Sequence, residues 1–402
     1  MAAPPDRPRD RPAVHPIRPA AAQTADEWPD PPDPEAPAPP PRRSRAAPKP
    51  PPPQTDPVEL AAERMVAQSF DARAHAIHAL LAARRNGDAK PLGTRFEQLN
   101  RALGGGFWPG MYLVVGSTGS GKSQLALQMA LDAAQAGTPV MYVALELDET
   151  HLYARAAGYL RREAGKWSEF FHGHKPVPED VPAALAALPF HWDVSPPHGW
   201  DPAQIALSAA ALRRLYPAAA HVLVVVDFLQ LVAGHGRDLR ERIGHAAYQA
   251  RAAARDHHAV VLLISSTSRE NYALTEFAPH QLPTGKGGEK RSEAAKAPWD
   301  GPAHLLVGLG KESGETEYSA DAVLVLVKEG WPTQAPPKDG TRIHLALAKH
   351  RAGVTGWIDL RFDGSVFWEP ETAYLGSLSP DVSDVLVREP ALTAADDDLE
   401  AT

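Results

Sequence analysis

The chain has 402 residues, with 41 Lys and Arg against 49 Asp and Glu, a net charge of −8 and no Cys. Disulfides and thiolate metal sites are thereby excluded, and any contact with nucleic-acid phosphates has to come from a local basic surface rather than from the whole-chain balance. No run reaches the ~18 apolar residues that cross a bilayer, and the Pro-rich start holds no signal-peptide core, so the expected location is cytoplasmic.

Residues 1–55 form the first region. Of 41 Pro in the chain, 20 precede Val58, in stretches such as "PDPPDPEAPAPPP" with almost nothing apolar to bury. This tail reads as disordered or polyproline-like. Residues 56–87 follow as one amphipathic helix. Asp56 is its N-cap candidate, Pro57 falls in the first turn, Glu59 comes three residues on, and Asn86-Gly87 ends it. Val66, Phe70, Ile77 and Leu81 share a stripe that packs either on the chain's own domain or on a neighbouring subunit.

Residues 88–375 alternate short apolar runs with helical stretches: "MYLVV", "PVMYVAL", "HVLVVV", "AVVLLI", "AVLVLV" and "IHLALA". Continuous apolar strands imply a sheet covered on both faces, hence an α/β fold with a mostly parallel, twisted central sheet flanked by helices. "GWIDLRFDGSVFWEP" predicts a final β-hairpin turning at Asp363-Gly364. Residues 376–402 read as an acidic flexible tail, with Asp396, Asp397, Asp398 and Glu400 close together.

The first strand runs into Gly116, Ser117, Thr118, Gly119, Ser120, Gly121, Lys122 and Ser123, which match G-x-x-x-x-G-K-S, a pattern that chance gives in about one chain of this length in a hundred. Strand before and helix after are what a phosphate-binding loop needs. The glycines let backbone N–H groups converge on phosphate oxygens at the positive end of the helix dipole. Lys122 would neutralise the β- and γ-phosphates of ATP, and Ser123 would ligate Mg²⁺. Two carboxylates end neighbouring strands: Asp227, placed to hold the Mg²⁺ shell, and Glu146, placed to take the proton of the attacking water. The histidines of "FHGH" and "DHH" lack metal-ligand spacing and read as loop residues.

Beyond these motifs, the chain from about Thr94 to Trp368 resembles the RecA superfamily, and within it the C-terminal motor domain of DnaB-type replicative helicases. "FEQLNRALGGGFWPGMYLVVG" is similar to that family's entry into the P-loop, "ALELDETHLYAR" to its catalytic-glutamate segment and "VVVDFLQLV" to its Walker B strand. "KESGETEYSADAVLVL", which contains Glu312 and Asp321, and "LALAKHRAGVTGWIDLRF" are similar to its later segments. The resemblance implies that Lys349 and Arg351 act in trans, reaching the γ-phosphate of a neighbouring site in a homo-oligomer, a hexameric ring, on single-stranded DNA. An arginine finger of this kind is worth on the order of 10³ to 10⁵ in rate.

Departures from the family pattern accompany the resemblance. Ser266 stands where the family shows a γ-phosphate-sensing Gln, while Arg269 keeps a nearby basic position. The stretch from Glu270 to Leu305 reads either as a DNA-contacting loop, with Lys286, Lys290, Arg291 and Lys296 available to phosphates, or as a solvated loop. The helical domain that recruits primase in bacterial replicative helicases has no counterpart here, which points to a plasmid, phage or accessory enzyme. A RecA-like regulatory or loader ATPase is the rival reading, and a repair recombinase a third.

Overall fold

The computed structural model describes residues 56–67, 69–194, 199–233, 236–277, 298–311, 314–330 and 340–370. The chain divides into two units, Met1–Ala72 and Arg73–Thr402.

In the first unit α1 (Pro57–Ala67) starts as its sequence predicts: the Val58 N–H donates to Asp56 Oδ1 at 2.9 Å, and Pro57 occupies the first turn, where no N–H is needed. The single helix expected over 56–87 is, however, two. The Ser69 N–H turns back to Val66 O at 3.0 Å, and α2 (Phe70–Asn86) starts one residue later. No residue of α1 is buried, so no packing holds the two segments continuous against a tight local closure. Val66, Phe70, Ile77 and Leu81, the predicted stripe, are all exposed.

The second unit is a ten-stranded sheet built from β1 (Gly110–Gly116), β2 (Val140–Ala144), β3 (Phe190–Val194), β4 (Val222–Asp227), β5 (Ala259–Ser266), β6 (Glu276–Phe277), β7 (Ala322–Glu329), β8 (Thr341–His350), β9 (Gly356–Phe362) and β10 (Phe367–Trp368). Their order is β10-β9-β8-β7-β1-β5-β4-β2-β3, with β6 paired to β7. From β7 to β3 every pairing is parallel; from β7 to β10 every pairing is antiparallel. The six apolar runs are β1, β2, β4, β5, β7 and β8. Their alternate residues feed two cores: Tyr112 and Val114 join one cluster, Met111, Leu113 and Val115 the other. Both faces are apolar because helices cover both, and that removes the polar alternation of a half-exposed strand.

The remaining α-helices among the described residues are α3 (Glu97–Ala102), α4 (Lys122–Gln135), α5 (Glu149–Leu160), α6 (Trp167–Phe171), α7 (Val181–Ala186), α8 (Ala203–Leu215), α9 (Leu239–His257), α10 (Tyr272–Thr275) and α11 (Gly314–Ser319). Leu125, Leu127 and Leu131 of α4 lie on one face of the sheet, and Ile243, Ala246 and Ala250 of α9 on the other. Each Leu or Ile sealed this way contributes roughly 1.5 to 3 kcal/mol.

The C-terminal hairpin turns where predicted, with Gly364 at φ +96° and the Asp363 carboxylate accepting from the Ser365 and Val366 N–H groups, both at 2.8 Å. It is tied to α4 by two buried amides. Gln124 Nε2 donates to Ser365 O at 2.7 Å, while Gln128 donates to Phe367 O at 2.9 Å and accepts from Phe367 N at 2.8 Å. Gln128 is fully buried. Gln128→Leu should therefore destabilise the chain by about 2 to 4 kcal/mol, the cost of leaving two buried peptide groups short of a partner. A urea midpoint unchanged from wild type would refute this.

Candidate functional site

The carboxyl ends of the parallel strands converge on a cleft of about 320 Å³ lined by Thr118, Gly119, Gly121, Lys122, Ser123, Gln124, Glu146, Leu147, Arg155, Trp167, Asp227, Phe228, Ser266, Phe362 and Gly364. Local geometry explains the glycines of its loop. Gly119 and Gly121 have φ of +79° and +94°. A Cβ at Gly121 would stand 2.6 Å from Phe367 Cζ, and one at Gly116 2.7 Å from Ser120 Oγ. Ser117 organises the turn, its carbonyl accepting from Ser120 Oγ at 2.8 Å and from Lys122 Nζ at 2.7 Å. Helix α4 begins at Lys122, so its unsatisfied N–H groups face the cleft.

Register brings the two predicted carboxylates together. Ala144 pairs with Asp227, and the Leu145 N–H donates to Asp227 O at 2.6 Å, so Glu146 emerges beside Asp227. Glu146 is exposed at the cleft wall, whereas Asp227 is 1 % exposed. Both Asp227 oxygens are held: Oδ1 accepts from Ser123 Oγ at 3.0 Å and Oδ2 from the Tyr142 hydroxyl at 2.9 Å. The pairing of a loop hydroxyl with a buried carboxylate is an all-oxygen donor set that fits Mg²⁺. Burial pushes the Asp227 carboxyl above its ordinary range, with Glu146 adding to the rise and the Tyr142 and Ser123 hydrogen bonds and Lys122 opposing it.

Ser266, at the end of β5 and paired with Gly116, also lines the cleft. Its N–H donates to Gln230 Oε1 at 3.3 Å, and its carbonyl accepts from the Lys311 N–H at 2.8 Å. Arg269 lies exposed just beyond. Lys286, Lys290, Arg291, Lys296 and Glu312 fall outside the described residues.

Lys349 and Arg351 are not in this cleft. Strand β8 runs against β7, so Lys349 pairs with Val323 and the Arg351 N–H donates to Asp321 O at 2.8 Å, while the Asp321 N–H donates to Met111 O. From Met111 to Gly116 is five strand residues, about 17 Å at ~3.3 Å each. Both cations therefore sit at the amino edge of the sheet. Lys349 Nζ donates to the carbonyls of Glu317 and Tyr318, and Arg351 Nη2 to those of Tyr318 and Ser319 at 3.2 and 3.0 Å, the C-terminal end of α11.

Sequence reading gave no role to Arg155 and Trp167, which line the cleft, or to Tyr142, which is fully buried. Contacts distant in sequence bring them together here: Tyr142 to Asp227, Trp167 Nε1 to Gly364 O at 2.8 Å, and Arg155 to Gln124.

Residues 91–281 match the sequence profile described as the DnaB-like helicase C terminal domain. Over that span the chain resembles the DnaB-type motor domain. Two solved structures share the fold. The ATPase domain of G40P superposes with a TM-score of 0.55 at 19 % identity, over 76 % of this chain and 99 % of that one. A DnaB-like replicative helicase, studied with its primase interactions, gives 0.54 at 17 %, over 77 % and 72 %. Among curated protein sequences none matches.

Because burial raises the Asp227 pKa, the folded chain binds that proton more tightly than the unfolded chain. Stability is therefore lost as pH rises from the unfolded value through the folded one, and the loss is complete above it. Asp227→Asn should melt higher than wild type at pH 7, with the gap closing below about pH 4. Thermal melts across pH test this; a variant that melts lower than wild type at pH 7 would contradict it.

Proposed function

We propose that the chain is one subunit of a homo-oligomeric ATP-hydrolysing ring, hexameric as in DnaB-type helicases, that moves along single-stranded DNA and unwinds duplex in the cytoplasm, in a plasmid, phage or accessory replication role. One observation carries the reading: the cleft has a phosphate loop and two carboxylates, whereas Lys349 and Arg351 lie at the far edge of the same sheet. Cations so placed can serve a phosphate only on another chain, and a head-to-tail contact of that kind makes a ring when its rotation closes.

In this reading the N–H groups from Gly119 to Ser123 and the Lys122 ammonium bind the β- and γ-phosphates. Ser123 and Asp227 would hold Mg²⁺, whose charge, when it is bound, would draw electron density from the transferring phosphoryl group. Tyr142 keeps the Asp227 carboxylate oriented. Glu146 accepts a proton from the attacking water as its oxygen bonds to the γ-phosphorus and the bond to the β-phosphate oxygen breaks, releasing ADP and phosphate. Lys349 and Arg351 of the adjacent subunit stabilise the charge on the transferring group. Arg269, Lys286, Lys290 and Arg291 are proposed DNA contacts.

Ser266 favours a second reading, a regulatory or loader ATPase whose nucleotide state controls partner binding without unwinding. Its hydroxyl is too short to report the γ-phosphate as the family's Gln does. ATP turnover with and without single-stranded DNA separates the two: a motor is stimulated by DNA in a salt-dependent way, and a switch is indifferent to it.

The shared site has its own test. Arg351→Ala should lower kcat by about 10³-fold, and Glu146→Gln should bind ATP without turning it over. Mixing the two variants places intact Glu146 opposite intact Arg351 at about a quarter of the contacts in a randomly assembled ring, so turnover should return to that order. No recovery, or full turnover by a strictly monomeric wild type, refutes the arrangement.

A further inference from the structure

Arg155 lines the cleft and the mechanism above leaves it unused. It is placed by α5, which starts three residues after Glu146 and is capped by Asp148, whose Oδ1 accepts from the His151 N–H at 2.8 Å. Two turns on, the Arg155 guanidinium stacks over the Trp167 ring, with Cζ 4.6 Å from the centroid. Nη1 makes one long hydrogen bond, to Gln124 Oε1 at 3.4 Å, and Nε is sealed from solvent with no acceptor. Gln124 follows Ser123 in the first turn of α4, beside the phosphate loop.

A guanidinium has five N–H donors, all in its plane. Stacking on an indole occupies the face and leaves that edge free to bind. Burial lowers the Arg155 pKa, and the nearby Asp227 and Glu146 carboxylates oppose the change; a guanidinium keeps its proton in a protein, so the group is a cation. A cation desolvated with so few acceptors costs stability, and this one faces the space where a triphosphate belongs.

We propose that Arg155 is a nucleotide-binding residue, a cation supplied in cis whose free in-plane donors bind the polyphosphate of the chain's own nucleoside triphosphate. The inference rests on the reading of the cleft as an ATP site. It separates two sets of positive charge: Lys122 and Arg155 bind in cis, and Lys349 and Arg351 act in trans. A planar fork suits paired phosphate oxygens better than an ammonium does, so Lys is an incomplete replacement.

The test uses the full chain as wild type, Arg155→Gln, Arg155→Lys and Lys122→Ala, with Mg²⁺ and the non-hydrolysable analogue AMP-PNP. Thermal melts with and without analogue, titration with a fluorescent ATP analogue, and steady-state KM and kcat are read. Arg155→Gln should melt at or above wild type without nucleotide, bind at least ten-fold more weakly, gain less from AMP-PNP and raise KM more than it lowers kcat. Arg155→Lys, which keeps the charge and the stem, should fall between. Wild-type affinity in Arg155→Gln overturns the inference, as does a lower melting point combined with an undiminished gain from AMP-PNP, the mark of a merely structural role. Should Arg155→Gln fail to fold, full affinity in Arg155→Lys overturns it equally. If wild type binds AMP-PNP and Lys122→Ala does not, those failures leave the ATP site standing; if wild type binds none, both fall.

Discussion

Strand direction is the constraint on which the rest depends. The parallel strands deliver their carboxyl ends to one edge, and on that edge lie the glycine-rich loop after β1, Glu146 after β2, Asp227 at the end of β4 and Ser266 at the end of β5. Open parallel sheets bind ligands at such an edge because loops and helix N-termini gather there. The chain then reverses at β8, and whatever follows its last residue is carried to the opposite edge. Hydrogen-bond register keeps Lys349 and Arg351 away from the cleft of their own chain.

The cleft also concentrates buried polar groups that cost the fold stability. Asp227 is desolvated as a carboxylate, and two hydroxyl donors offset only part of that. Lys122 is 8 % exposed, and the Ser117 carbonyl accepts one of its protons. Arg155 has a sealed Nε with no acceptor. Groups of this kind are costly where they stand. The surrounding sheet can carry the load because β1, β4, β5 and β7 are buried along almost their whole length.

Most of this architecture was legible in the sequence, for reasons that are local. The buried strands announce themselves because two apolar faces leave no polar alternation to confuse with a loop, and the phosphate loop because its glycines, Lys122 and Ser123 act within eight residues. The hairpin turn is legible because Asp363-Gly364 satisfies its own backbone. Other features depend on partners far along the chain. Tyr142 meets Asp227 85 residues later, and Trp167 meets Gly364 197 residues later. Strand β3 hides because it is an edge strand, nowhere fully buried, with a broken apolar run in "FHWDV". The break at Ser69 hides because its cause is a missing neighbour: periodicity predicts a helix and says nothing of whether anything packs on it.

The hairpin joins the glycine-rich loop to the edge that carries Lys349 and Arg351. Phe362 and Phe367 stack with centroids 4.1 Å apart, and Phe367 fills the space a side chain at Gly121 would need. Gln124 and Gln128 fasten the same hairpin to α4, the helix that opens at Lys122. Through β10 and β9 the hairpin is hydrogen-bonded to β8, whose end leads into Arg351. One continuous set of packed and hydrogen-bonded elements therefore runs from the phosphate loop of a chain to the cations that it would offer its neighbour. Contiguous rigid elements are a physical means by which occupancy of one site can bias another. In a ring each subunit would stand at both ends of such a connection, receiving charge at one edge of its sheet and delivering it at the other.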